Sequence, residues 1–147
     1  MTDGASQATL IAAIPQLFVS DIMASCSFFT SKLGFAVEFV HGEPPFYAQV
    51  KRGAAQIALR HGDRDVMDKI AVAMKADVDM LAASISVDGV QALYAEFKGA
   101  QVAFHQELRS EPWGARTFIV RDPDDNLLLF AGGADQSRQP ISAITGR

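Results

Sequence analysis

Cysteine is almost missing from this chain: Cys26 is the single example in 147 residues. One thiol excludes an internal disulfide framework and any multi-cysteine metal site. Histidine is scarce as well. His41, His61 and His105 are the three present, and no pair has the i, i+4 spacing of a helical metal site. No apolar run approaches the roughly 18 residues that read as a membrane span, so no membrane partner is expected. Lys and Arg form no cluster and the formal net charge is −4. Neutralising phosphates requires grouped cations, so nucleic acid is not an expected partner either. Residues 1–9 lack a basic region followed by an apolar core, so no secretory signal is expected and the cytoplasm is the expected location. Neither a nucleophile elbow nor a phosphate-cradling glycine loop occurs.

What is present describes one globular domain, with 49% apolar and 20% charged residues. Its clearest signal lies near the C-terminus. Residues 116–121 are β-branched and aromatic, Asp122-Pro-Asp-Asp-Asn126 is turn chemistry, and residues 127–130 are apolar again, which predicts a hairpin. Taken in order, residues 10–19 predict a strand containing Pro15. Ser20-Asp21 is a helix N-cap signal, and Ile22, Cys26, Phe29 and Leu33 recur at helical spacing before Gly34 stops the helix. This places Cys26 on the apolar face, as an inert core thiol. Residues 35–41, 46–50 and 55–60 predict three strands, the last two joined at Lys51-Arg-Gly-Ala54. In the second half, residues 81–87 predict a strand and Asp88 an N-cap. Val90, Leu93 and Phe97 mark a helix ended by Gly99, residues 101–105 predict a strand, and the hairpin closes the set. Both halves therefore read strand–helix–strand–strand–strand, an internal repeat. Between them, Val66, Ile70 and Met74 mark an amphipathic connecting helix.

Ser20-Asp21, Phe28-Phe29, Leu33-Gly34-Phe35 and Asp122-Pro-Asp-Asp-Asn126, in this order across a repeat, resemble the vicinal oxygen chelate superfamily, also called the glyoxalase/bleomycin-resistance/dioxygenase superfamily. The span from Pro112-Trp-Gly-Ala-Arg-Thr to Asp122-Pro resembles its bleomycin-resistance branch. The resemblance implies an α+β fold of two βαβββ modules, forming curved mixed sheets around a cleft. Module one would span 10–61, a connector 62–79 and module two 80–132, with flexible termini at 1–9 and 133–147. Asp125 stands where glycine is usual, and Asp tolerates the left-handed backbone that such a turn needs.

Metal-dependent members of that superfamily place His, Glu or Gln at four inward positions. The register of the resemblance carries these onto Ile14, Ala58, Ala82 and Leu129, none of which can bind a cation. No metal, no cofactor and no catalytic residue is therefore expected, and the three histidines read as rim or surface residues. If Leu129 points inward, alternation brings Ile119, Thr117, Ala115 and Trp113 to the same face. Trp113 lines the ligand groove in the resembled branch and could stack on a planar molecule. From module one, Ala58 and Arg60 share parity, and Phe46 and Tyr47 begin the third strand. The expected ligand-binding set is Trp113, Thr117, Ile119, Leu129, Ala58, Arg60, Tyr47 and Phe46. The expected function is metal-free binding of an aromatic or cationic drug or metabolite in an apolar cleft, by a homodimer whose modules pair within a chain or swap between chains. A divergent lyase, isomerase or dioxygenase is the alternative, metal-dependent if the register differs. A third reading is an interaction module whose cleft is filled by its own side chains.

Overall fold

The computed structural model describes residues 7–74 and 80–133. Its elements are β1 (Gln16–Val19), α1 (Ile22–Ser31), β2 (Ala36–His41), β3 (Tyr47–Arg52), β4 (Ala55–His61), α2 (Arg64–Met74), β5 (Leu81–Ser86), α3 (Val90–Gly99), β6 (Phe104–Ser110), β7 (Ala115–Arg121) and β8 (Leu127–Gly133). The strands form two mixed four-stranded sheets, ordered β1-β4-β3-β2 and β5-β8-β7-β6. In each sheet the first strand pairs in parallel with the last, and the other pairs are antiparallel. This is the expected α+β arrangement of two βαβββ units, with α2 as the connecting helix. The tails expected at 1–9 and 133–147 fall largely outside the described residues, as do 75–79 of the connector.

One face of each sheet supplies the core. Leu17, Val19, Ala48, Val50, Ile57 and Leu59 pack with Ile22, Cys26, Phe29 and Leu33 of α1. In the second sheet Phe118, Val120, Leu128 and Phe130 pack with Val90 and Phe97 of α3, and both sets belong to one contiguous cluster. Phe118 and Phe130 are stacked with centroids 5.2 Å apart, and Phe97 meets each ring edge-on. Full burial of one such ring stabilises the fold by about 2–3 kcal/mol. Burial also pushes the Cys26 thiol up from its ordinary pKa. The helix ends follow the expected local chemistry in α1. Asp21 Oδ1 accepts from the Ala24 amide at 3.0 Å, and Gly34 adopts φ +73° just beyond the helix.

Three boundaries differ from expectation. The first strand begins at Gln16 instead of residue 10, because Pro15 has no N–H to give to a ladder; Ala58 N still donates to Pro15 O at 2.9 Å. Leu10 and Ile11 upstream are 98% and 91% exposed. Asp88 does not cap α3. The N-cap is Gly89, at φ 80°, and no side chain satisfies that end. The sixth strand starts at Phe104 and runs to Ser110 instead of spanning 101–105. Gln101 turns left-handed at φ 60°, and three amides after the helix bond back onto its last turn, so the chain rejoins the sheet late.

The β7–β8 turn joins the two modules. Asp122 Oδ1 accepts from the amides of Asp124 and Asn126 at 2.9 and 2.7 Å, and Oδ2 accepts from Asn126 Nδ2 at 2.9 Å. Asp125 takes φ 65°, the left-handed backbone expected of it. From this turn Asn126 Nδ2 reaches Phe18 O at 3.0 Å, and Asp124 Oδ2 accepts from Ser20 N at 3.2 Å. Farther along the seam Arg52 grips Glu96 with two bonds of 2.8 and 2.9 Å, and Lys32 Nζ donates to Ala100 O at 2.9 Å.

Burial raises the Asp122 carboxyl to about 6, against the pull of the N–H donors from Asn126 and Asp124. A folded-state value above the unfolded one means that the native chain holds the extra proton. The stability this contributes is complete below the unfolded value and is lost as pH rises through about 6. Urea denaturation of the wild type and Asp122→Asn at several pH values should therefore show a difference that falls by on the order of 3 kcal/mol between pH 4 and 7, from about 1.4 kcal/mol per pKa unit. A pH-independent difference would refute this account of the turn.

Candidate functional site

Alternation puts a second set of side chains on the distal faces, away from the helices. On the first sheet Phe18, Arg60, Tyr47 and His41 lie in one row of register partners, and Gln16, Ala58, Gln49 and Phe39 in the next. A bulge between Val37 and Phe39 adds Glu38 to this side. Its carboxylate accepts from Gln56 Nε2 at 2.9 Å and Gln49 Nε2 at 3.2 Å, and these bonds hold it below the usual carboxylate range. The first distal face is thus polar and aromatic, with Phe39 and Tyr47 centroids 5.8 Å apart.

The second distal face is mostly apolar. Ile119 pairs with Leu129, which pairs in turn with Ser84, and Thr117 pairs with Ala131. Thr117 and Ile119 are buried, yet both stand outside the contiguous core cluster. A polar chain crosses this face. Gln106 Nε2 donates to Thr117 Oγ1 at 3.0 Å, and Thr117 Oγ1 donates to Glu111 Oε2 at 2.6 Å. Arg109 Nε also donates to Glu111 Oε2, at 3.0 Å. The Thr117 hydroxyl, and then Arg109, hold the Glu111 carboxyl below its ordinary range.

The expected ligand set is distributed over these surfaces. Ala58, Arg60 and Tyr47 share the first distal face; Thr117, Ile119 and Leu129 share the second. Among the described residues no hydrogen bond, ion pair or ring contact joins one trio to the other. Phe46 departs from expectation: it precedes β3 and lines a recess of about 410 Å3 with Met23, Glu43 and His61. Trp113 is not in register with Thr117 and Ile119 either. It occupies the tip of a tight turn closed by Glu111 N donating to Ala115 O at 2.7 Å and Gly114 N to Glu111 O at 2.9 Å. Gly114 takes φ +97°, which only glycine adopts without strain, and Trp113 is left 74% exposed in the turn between β6 and β7.

The family model of the Glyoxalase/Bleomycin resistance protein/Dioxygenase superfamily matches residues 10–130. The chain belongs to that superfamily. It is 31% identical over 129 residues to the bleomycin resistance protein of Geobacillus stearothermophilus, covering 82% of this chain and 96% of that one. A bleomycin resistance protein of Staphylococcus aureus matches with the same identity and coverage. Among solved structures, the bleomycin-binding protein of bleomycin-producing Streptomyces verticillus, complexed with copper(II)-bleomycin, superimposes with a TM-score of 0.67 at 26% identity, covering 87% of this chain and all of that one. A glyoxalase-related enzyme from Clostridium phytofermentans shares the fold, with a TM-score of 0.68 at 17% identity over 88% of this chain and 99% of that one.

None of the four positions that the resemblance assigns to metal ligands carries a side chain that can bind a cation. Ala58 and Leu129 lie on the distal faces and have no lone pair to offer. Ile14 precedes β1 and is equally inert. Ala82 was expected to face inward on β5, but a register shift between Leu81 and Ala83 displaces it toward the core, and Ser84 is the partner of Leu129. Among the described residues no group of three or more His, Cys, Asp or Glu is placed to hold a metal ion. His41 and His61 are exposed at the ends of β2 and β4, and His41 packs edge-on against Phe46 at 5.4 Å. His105, expected to end its strand, is the second residue of β6, and its Nδ1 lies 2.7 Å from Arg121 Nη2. No helix among the described residues is long and apolar enough to cross a membrane.

Sequence reasoning missed Glu38, Gln106 and Glu111. Glu38 is shifted by a bulge that parity counting cannot see. Glu111 directly precedes Pro112-Trp113, a signal that was available. The exposure of Trp113 predicts red-shifted emission and efficient acrylamide quenching in the free protein, with Trp113→Ala changing stability by less than about 0.5 kcal/mol in urea denaturation. Blue-shifted, protected emission would contradict the position of the turn.

Proposed function

We propose that the chain is a metal-free small-molecule binding protein that confers drug resistance by sequestration, acts in the cytoplasm, and takes a bleomycin-like ligand with a planar aromatic part and a cationic part. The observation that carries this reading is an exposed Trp113 in the turn before β7, in a module whose apolar distal face has Leu129 at a position the resemblance assigns to a metal ligand. The relatives named as bleomycin resistance and bleomycin-binding proteins support it. Binding of this kind needs no reacting group. The planar part of the ligand removes apolar surface of Trp113, Ile119 and Leu129 from water and stacks on the indole, and the ring contact adds about 0.5–1.5 kcal/mol beyond area burial.

A second copy of the chain is part of the proposal. Each distal face offers one wall, and a homodimer can oppose the polar wall carrying Ala58, Arg60 and Tyr47 to the apolar wall carrying Thr117, Ile119 and Leu129. Sedimentation velocity at micromolar concentration should give the mass of two chains; a monomer under these conditions removes this part of the proposal.

Metal-free bleomycin should quench or shift the Trp113 emission saturably, with one ligand per cleft. Trp113→Ala should weaken binding measured by calorimetry by roughly ten- to fiftyfold, corresponding to about 1.4–2.3 kcal/mol. No binding by the wild type rejects the ligand class. Stoichiometric Zn, Ni, Mn or Fe in protein purified without chelator would replace this reading with a metal-dependent enzyme.

A further inference from the structure

Glu111 is an ionisable group in an unusual place. Its side chain is 9% exposed, whereas that of its ion-pair partner Arg109 is 59% exposed. Both of its contacts converge on one oxygen: Thr117 Oγ1 at 2.6 Å and Arg109 Nε at 3.0 Å reach Oε2. Oε1 makes no hydrogen bond among the described residues. A carboxylate has about four acceptor sites, and one held against an apolar face with an idle oxygen gains from any N–H that arrives there. Arg109 does not consume this capacity, since its contact is a single Nε bond and not a two-pronged fork.

The surroundings fix the carboxylate instead of letting it follow solvent. Gln106 Nε2 can only donate, so its 3.0 Å bond to Thr117 Oγ1 leaves the hydroxyl proton directed at Glu111. The backbone of Glu111 is itself part of the turn that carries Trp113, through the bonds to Ala115 O and from Gly114 N. One rigid turn therefore holds an indole ring and, two residues away, a carboxylate with an open acceptor.

We propose that Glu111 is the cation-recognising residue of this ligand face: Oε1 accepts an N–H from an amine or guanidinium that the ligand carries next to the planar group stacked on Trp113. Thr117 acts as a positioning residue for that carboxylate. The inference rests on the ligand-binding reading above and adds to it a charge preference and the residue responsible.

The test compares bleomycin B2, whose tail beyond the planar bithiazole ends in a guanidinium, with bleomycinic acid, which lacks that tail and ends in a carboxylate. Calorimetry on the full chain should find the wild type binding bleomycin B2 more tightly. Glu111→Gln keeps the size of the side chain and an oxygen for Thr117. It should weaken bleomycin B2 ten- to thirtyfold and leave bleomycinic acid within twofold. Thr117→Val should reduce the same preference by a smaller factor. Equal losses for both ligands in Glu111→Gln, or no loss, or a wild type indifferent to the tail, each overturns the role of Glu111 while leaving sequestration intact. A wild type that binds neither compound overturns both. Thermal melts of the variants separate these outcomes from loss of fold.

Discussion

A buried carboxylate in a five-residue turn governs much of this molecule. Asp122 gathers two backbone amides and the Asn126 side chain around itself, and in doing so fixes where β8 begins relative to β7. Because strand side chains alternate, that single choice of register decides that Phe118, Val120, Leu128 and Phe130 enter the core and that Thr117, Ile119 and Leu129 do not. The same turn reaches across to Phe18 and Ser20 of the first module. Local hydrogen bonding, sheet register and the seam between halves are thus one connected constraint. The carboxyl is costly to bury, and burial raises its pKa despite the N–H donors around it.

The repeat was legible because its signals are local. Asp21 as a cap, Gly34 as a stop and the Asp122–Asn126 turn each act within a few residues, and hydrophobic alternation then orders the strands. The two-sheet fold and the distal placement of Ala58, Arg60, Thr117, Ile119 and Leu129 follow from those signals. What failed depended on interruptions of alternation. The bulge beside Glu38 and the register shift beside Ala82 move a residue from one face to the other without any change in composition. Trp113 was brought to the face of Thr117 and Ile119 by alternation, yet Gly114 bends the chain before β7 starts. Phe46 is bonded through its backbone to His41 and His61, and alternation from Tyr47 turns its side chain to the opposite face, beside Met23.

The two modules share an architecture but present unlike surfaces. Glutamine amides, Arg60 and Tyr47 dress the first distal face, while Leu129, Ile119 and Ala131 dress the second, crossed by one polar chain from Gln106 to Glu111. A site assembled from one wall of each kind combines area burial with directional bonds, which is the usual composition of a pocket for an organic molecule. Leu129 has no lone pair to offer a cation at the position that the resemblance assigns to a metal ligand, which is why binding is the role proposed for this face.

The sole thiol, Cys26, lies beneath α1 among apolar neighbours, where burial raises its pKa and keeps thiolate scarce near neutral pH. Thiolate is the species that attacks disulfides and is oxidised first, so the folded chain offers little to either reaction. The folded chain accordingly offers little for disulfide cross-linking between copies.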